Sequence, residues 1–153
     1  MSNPLQALSG LGSLEVASSE VGRTLMIRLA AESARVGLAL QHRVPAFGGA
    51  PAERWADADR RETWDALDRM LTPATATGRN WRASMAQDVI KGRRTEIDYM
   101  NGYVVDRGRE KGVPTPVSSA VVQIVREIDA GTRKPSPDNI GVALSRSGSR
   151  LGS

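Results

Sequence analysis

The chain has 153 residues, enough for one domain with a working core. Hydrophobic residues make up 40% and aromatics only 4%, which favours helices packed through small residues over a β-sandwich, and without cysteine there is no disulfide, no thiol chemistry and, with His42 alone, no His/Cys zinc site. The net charge of +4 invites a nucleic-acid reading, but Arg133, Lys134, Arg146 and Arg150 against Asp138 place +3 of it beyond residue 131, so the remainder is near neutral and no nucleic-acid partner is expected.

At the start, Asn3-Pro4-Leu5-Gln6-Ala7-Leu8 predicts a short turn of helix stopped by Gly10 and Gly12. Nothing here has the basic and apolar regions of a secretory leader, and no stretch approaches a membrane span, so a soluble, cytoplasmic protein is expected. Ser18 and Ser19 are N-cap candidates for a long helix reaching about Gln41. Val21, Leu25, Leu29, Val36 and Leu40 fall near one stripe of it, while Arg23, Arg28, Glu32 and Arg35 lie mostly off that stripe. His42 sits at its C-terminal end, where a cation complements the helix dipole.

The prolines and glycines of residues 44–51 predict a loop, followed by a helical turn over Ala52–Ala58 and a helix over Asp59–Leu71 that Thr72-Pro73 breaks. Trp55 and Trp64 read as core or cleft-wall packing ahead of a cofactor platform. Trp81, Met85 and Val89 or Ile90 mark a further helix ended by Gly92, and Lys91, Arg93 and Arg94 read as an exposed charge run ahead of an anion site.

The next stretch, Thr95-Glu96-Ile97-Asp98-Tyr99-Met100-Asn101-Gly102, has an N-cap threonine with an acid three residues on, a capping-box pattern. Glu96 and Asp98 are accounted for as first-turn acids at the positive end of a helix dipole. The same placement would hold Glu96 ionised, suited to accepting a hydrogen bond from a substrate hydroxyl and unsuited to general-acid work. Ile97, Met100, Val104 and Val105 form the expected buried stripe, and Gly112 the stop. Thr115 and Pro116 then give an N-cap and an N1 proline to an amphipathic helix of Val117, Val121, Ile124, Val125 and Ile128, stopped by Gly131. Residues 132–153 are rich in Pro, Ser, Gly and Arg and predict a disordered basic tail after a folded domain of residues 1–131.

Taken together, Asn3-Pro4-Leu5-Gln6-Ala7-Leu8, Ser84-Met85 with Gln87-Asp88, the stretch Thr95–Gly102 and Gly112-Val113-Pro114-Thr115-Pro116 resemble the C-terminal domain of ketopantoate reductases (2-dehydropantoate 2-reductases). The resemblance implies an all-α fold like the C-terminal domain of 6-phosphogluconate dehydrogenase, packed in the family on a Rossmann domain that holds NADPH, with a 2-keto acid in the cleft between them. It implies substrate-binding roles for Asn3, Ser84 and Glu96. The family's lysine that protonates the keto oxygen would lie eight residues before Asn3, upstream of Met1, so no catalytic residue is assigned. A family asparagine about ten residues after Asn3 falls on Ser13. Gly10-Leu11-Gly12 follows no strand and is no dinucleotide fingerprint, so NADPH binding is not expected of the chain alone. The expectation is the substrate-binding and dimerising half of an NADPH-dependent reductase, inactive by itself, split into two genes or truncated at an internal Met, that needs a Rossmann-domain partner. The alternative is a repurposed helical module that binds a partner or small acid without catalysis.

Overall fold

The computed structural model describes residues 2–74 and 78–148. Among them the chain forms α1 (Ser2–Ser9), α2 (Ser13–Ser18), α3 (Glu20–Ala39), α4 (Ala52–Ala56), α5 (Arg61–Leu71), α6 (Ser84–Ile90), a π-helical turn (Asp98–Gly102) running straight into α7 (Tyr103–Lys111), α8 (Pro116–Asp129) and α9 (Asp138–Arg146). No strand occurs among the described residues, apart from an isolated bridge between Phe47 and Ala50, and the fold is the all-α one expected.

The long helix α3 divides the core in two. One side, with Leu25, Met26 and Leu29, packs against α1, α8 and α9; the other, with Ile27, Ala30, Ala31 and Ala34, packs against α4 and Leu67 of α5. A helix apolar on two sides must sit inside the molecule, and the rest of the chain wraps around this one. Ser19 caps it through a bond from Gly22 N of 3.3 Å. In the second core Trp55 is fully buried, stacks on Phe47 at 5.5 Å between centroids and donates its Nε1–H to the Phe47 carbonyl, which is the core role expected of it. Trp64 lies under the Arg28 guanidinium.

Several caps come from distant helices in place of local residues. Thr115 precedes α8 but makes no side-chain cap; instead Glu32 of α3, expected off the buried stripe, is 4% exposed and accepts from Val117 N (2.8 Å) and Ser118 N (2.7 Å). Its carboxylate takes the first free N–H groups of α8 at the positive end of the helix. Thr95 likewise does not form the expected capping box. Its backbone N–H and hydroxyl both bond the Asp129 carboxylate at the far end of α8, and Asp98 pairs with Arg126 and Arg94. Gly112 ends α7 at φ +67, the left-handed geometry expected of it.

The expectation of a disordered tail is overturned for residues 132–148. Helix α9 buries Asn139, Ile140, Ala143 and Leu144, and Glu127 of α8 clamps it through Arg133 and Arg146. The helical spacing of Ile140, Ala143 and Leu144 supplies an apolar face that the surrounding Pro, Ser and Gly concealed. Arg150 and the last residues of that expected tail lie outside the described residues.

This packing can be tested at Leu144 and at Glu32. Leu144, 2% exposed, belongs to the main core, so Leu144→Ala is expected to cost about 2–5 kcal/mol of unfolding free energy in urea titration; a loose tail would give no change. Burial of Glu32, the largest influence on it, raises its carboxyl above the ordinary glutamate range, against the opposing pull of the Ser118 and Val117 bonds. The native state therefore holds the Glu32 proton more tightly than the unfolded chain, and the acid's contribution to stability falls as pH rises from the ordinary glutamate value through the raised one. Measured across that interval, the parent chain should lose stability relative to Glu32→Gln. Glu32→Ala should cost about 1–3 kcal/mol for each N–H donor left unpaired.

Candidate functional site

Helix α1 meets the N-terminus of α6 because two of its side chains serve as that helix's cap. Ala83 has no side chain able to cap, and Gln6 Oε1 accepts from Ala83 N (2.9 Å) while Asn3 Oδ1 accepts from Met85 N (3.1 Å). Fixing its oxygen in this way orients the Asn3 amide. Its NH2 group then faces the Ser84 hydroxyl at 3.4 Å and the Met100 sulfur at 3.9 Å, both long contacts. Ser84 is exposed and Asn3 partly so. The result is an amide held in one orientation beside an accessible hydroxyl, with donors left over for a carboxylate or carbonyl oxygen.

Of the three expected binding residues, two therefore meet: Asn3 and Ser84, from positions 81 apart in the chain. Glu96 is exposed, no hydrogen bond joins it to either, and it lies one turn before Met100, whose N–H bonds the Glu96 carbonyl at 3.1 Å. Asp98 is held ionised below the ordinary aspartate range, first by the Arg126 guanidinium at 2.7 Å and then by Arg94. The expected charge run is exposed at Lys91, Arg93 and Arg94.

Met100 departs from expectation. Counted into the buried stripe by spacing, it is 41% exposed, while Ile97 is fully buried. The cause is the π-turn, in which Gly102 N bonds the Ile97 carbonyl (2.9 Å) five residues back. The extra residue in that turn breaks the 3.6-residue repeat and rotates the adjoining side chains off the core face. Met100 then stands between the Asn3–Ser84 pair and an open groove of about 370 Å³, whose walls include Pro4, Leu29, Phe47, Asn101 and Val104. Periodicity could not show this groove.

The glycine turn between α1 and α2 does not fit a dinucleotide phosphate. Asn80 fills it: a Cβ at Gly12 would stand 2.0 Å from the Asn80 Oδ1, which accepts from Leu14 N at 3.0 Å. The described residues contain no group of His, Cys, Asp or Glu able to hold a metal ion, and no described helix is long and apolar enough to cross a membrane.

A family model described as "Ketopantoate reductase PanE/ApbA C terminal" matches residues 1–129. Among curated relatives, the 2-dehydropantoate 2-reductase of Archaeoglobus fulgidus is 35% identical over 68 residues, 44% of this chain and 23% of the relative. That of Pyrobaculum aerophilum is 32% identical over 122 residues, 80% of this chain and 36% of the relative. The Mesorhizobium japonicum reductase is 29% identical over 126 residues, 82% of this chain and 32% of the relative. The chain thus spans about a third or less of the length of these relatives. A solved structure described as the ternary structure of D-mandelate dehydrogenase with NADH and anilino(oxo)acetate superposes with a TM-score of 0.61 at 23% identity, over 84% of this chain and 47% of that one, a likeness of fold.

The geometry gives Asn3 a structural duty that can be measured. Asn3→Ala should free the Met85 N–H, lowering stability by about 0.5–2 kcal/mol, the usual worth of an N-cap. In native-state hydrogen exchange the Met85 amide should lose protection while the α8 amides keep theirs. Unchanged Met85 protection would mean that the side chain does not cap α6.

Proposed function

Because the chain belongs to the ketopantoate reductase family, as its C-terminal helical domain, we propose that it is the substrate-binding half of a nicotinamide-dependent 2-oxo acid reductase, with 2-dehydropantoate, the substrate of its named relatives, as the first acid to test. The observation that carries this reading is the Asn3–Ser84 pair: an oriented amide and an accessible hydroxyl with spare donors, beside a groove of ligand size. In it, Asn3 Nδ2 and Ser84 Oγ donate to the oxygens of the acid, and Glu96 accepts from a substrate hydroxyl.

NADPH belongs to a separate dinucleotide-binding domain, since Asn80 fills the one glycine turn near α1. Bound there, it would supply the hydride. This chain's residues bind and orient the acid, and packing of that domain over the Asn3–Ser84 side would exclude water. A charge-assisted hydrogen bond gains strength in a dry cleft, so the contribution of Glu96 depends on that closure. Large apolar side chains left exposed, among them Ile90 at 65% and Tyr99 at 87%, are consistent with a covering partner, whether that domain or a second copy in a homodimer.

The test joins the chain to the dinucleotide-binding half of the Pyrobaculum relative and follows steady-state reduction of 2-oxo acids. Glu96→Gln should lower kcat/KM by about tenfold to a hundredfold, the worth of one charge-assisted hydrogen bond. Asp98→Asn is the control, since its carboxylate is engaged by Arg126 and Arg94, and should change kcat/KM by less than about threefold. Equal small losses for the two variants would place substrate recognition away from Glu96.

A further inference from the structure

Of the described methionines, two are open to solvent and two are not: Met100 at 41% and Met70 at 39% exposed, against Met26 at 6% and Met85 at 1%. What the sulfur meets separates the two exposed ones. The Met70 sulfur stands beside Gly49, 3.1 Å from where a Cβ there would lie. The Met100 sulfur is 3.9 Å from Nδ2 of Asn3 and accepts from it, weakly, as a thioether does. Met100 also lines the open groove, so a small solute in the groove reaches its side chain.

The Asn3 amide is not free to turn away from that sulfur, because its Oδ1 accepts from Met85 N at 3.1 Å and so caps α6. An oxygen added to the sulfur on the side of the amide would fall within ordinary hydrogen-bond reach of Nδ2, about 2.7–3.2 Å. Oxidation to the sulfoxide turns the apolar side chain polar and gives it a much stronger acceptor than the thioether. The N–H that the reduced protein leaves for a ligand oxygen would then be satisfied within the protein.

We propose that Met100 is an oxidation site for hydroperoxides and that its sulfoxide withdraws the Asn3 amide from its ligand. In the step, a sulfur lone pair attacks one peroxide oxygen, an S–O bond forms as the O–O bond breaks, and the thioether gives up two electrons. The proton on the transferred oxygen passes to the departing oxygen, which leaves as water or an alcohol. The sulfoxide is chiral, and the epimer whose oxygen faces Asn3 makes the hydrogen bond. The modification stands on the Met100–Asn3 contact; its effect on a ligand rests on the reading of Asn3 as an anchor for a 2-oxo acid.

The test treats the isotope-labelled full chain with hydrogen peroxide. Peptide mass spectrometry follows the oxygen gained at each methionine, and NMR follows the Asn3 side-chain amide. Met100 and Met70 should oxidise about tenfold or more faster than Met26 and Met85. The Asn3 amide protons should shift in step with Met100, and the shift should survive Met70→Leu. Met100→Leu should abolish it. Met100→Gln, which puts an amide oxygen near the place of the sulfoxide oxygen, should reproduce it without peroxide. In the Met70→Leu background, pyruvate, titrated as the simplest 2-oxo acid, should bind the oxidised chain roughly threefold to tenfold more weakly, the worth of one neutral hydrogen bond. Met100 oxidised no faster than Met85, or oxidised with the Asn3 amide unmoved, would overturn the proposal. An Asn3 amide shifted by oxidation while pyruvate binds both forms equally, or neither, would overturn the acid anchor and the ligand effect with it, and would leave Met100 as the oxidation site.

Discussion

Glu32 carries a carboxylate into the middle of the molecule and holds it between two backbone N–H groups of α8. Removing a charge from water is expensive, and it is tolerated where hydrogen bonds and a helix dipole replace the lost solvation. The arrangement fixes where α8 begins relative to α3, and α8 then carries Asp129, the anchor for Thr95. The stretch running from Thr95 into the groove is thus registered against α3 through two carboxylates at opposite ends of one helix. The α1–α6 junction works the same way with neutral amides, Gln6 and Asn3 supplying the cap that Ala83 lacks.

Asn3 consequently has two duties on one side chain. Its oxygen holds α6 and its nitrogen is presented to the space beside Ser84. A ligand-facing amide that also caps a helix loses little rotamer freedom on binding, because its orientation is already fixed by the fold. Ser84 gains from the same junction, being the first residue of the helix that Asn3 caps.

Much of this was legible in the chain, and the parts that were not share a cause. The stripe of α8, the stops at Gly112 and Gly92 and the core placement of Trp55 follow from local spacing and turn chemistry, which a sequence displays directly. Glu32 reads as a solvated acid because its partners stand 85 and 86 residues away. Helix α9 was hidden because three apolar residues among Pro, Ser and Gly make a weak local signal that only packing on α8 strengthens. Met100 was misplaced because an assumed 3.6-residue repeat cannot register the extra residue of a π-turn. Asn3 and Ser84 became candidates through resemblance alone: spacing gives no reason to pair an asparagine with a serine 81 positions on.

Caps supplied across such distances also impose an order of events during synthesis. When α3 emerges, Glu32 has no partner, and the N–H groups it will bond have yet to be made. At about 5–20 residues per second, the 85 residues separating Glu32 from Val117 take roughly 4–17 s to add. For that interval the acid remains hydrated at the surface of a helix whose side toward α8 and α9 still lacks their cover. Helices α8 and then α9, translated after the other described helices, close the larger core, so the nascent domain stays open to chaperones and to misplaced contacts until both have been added.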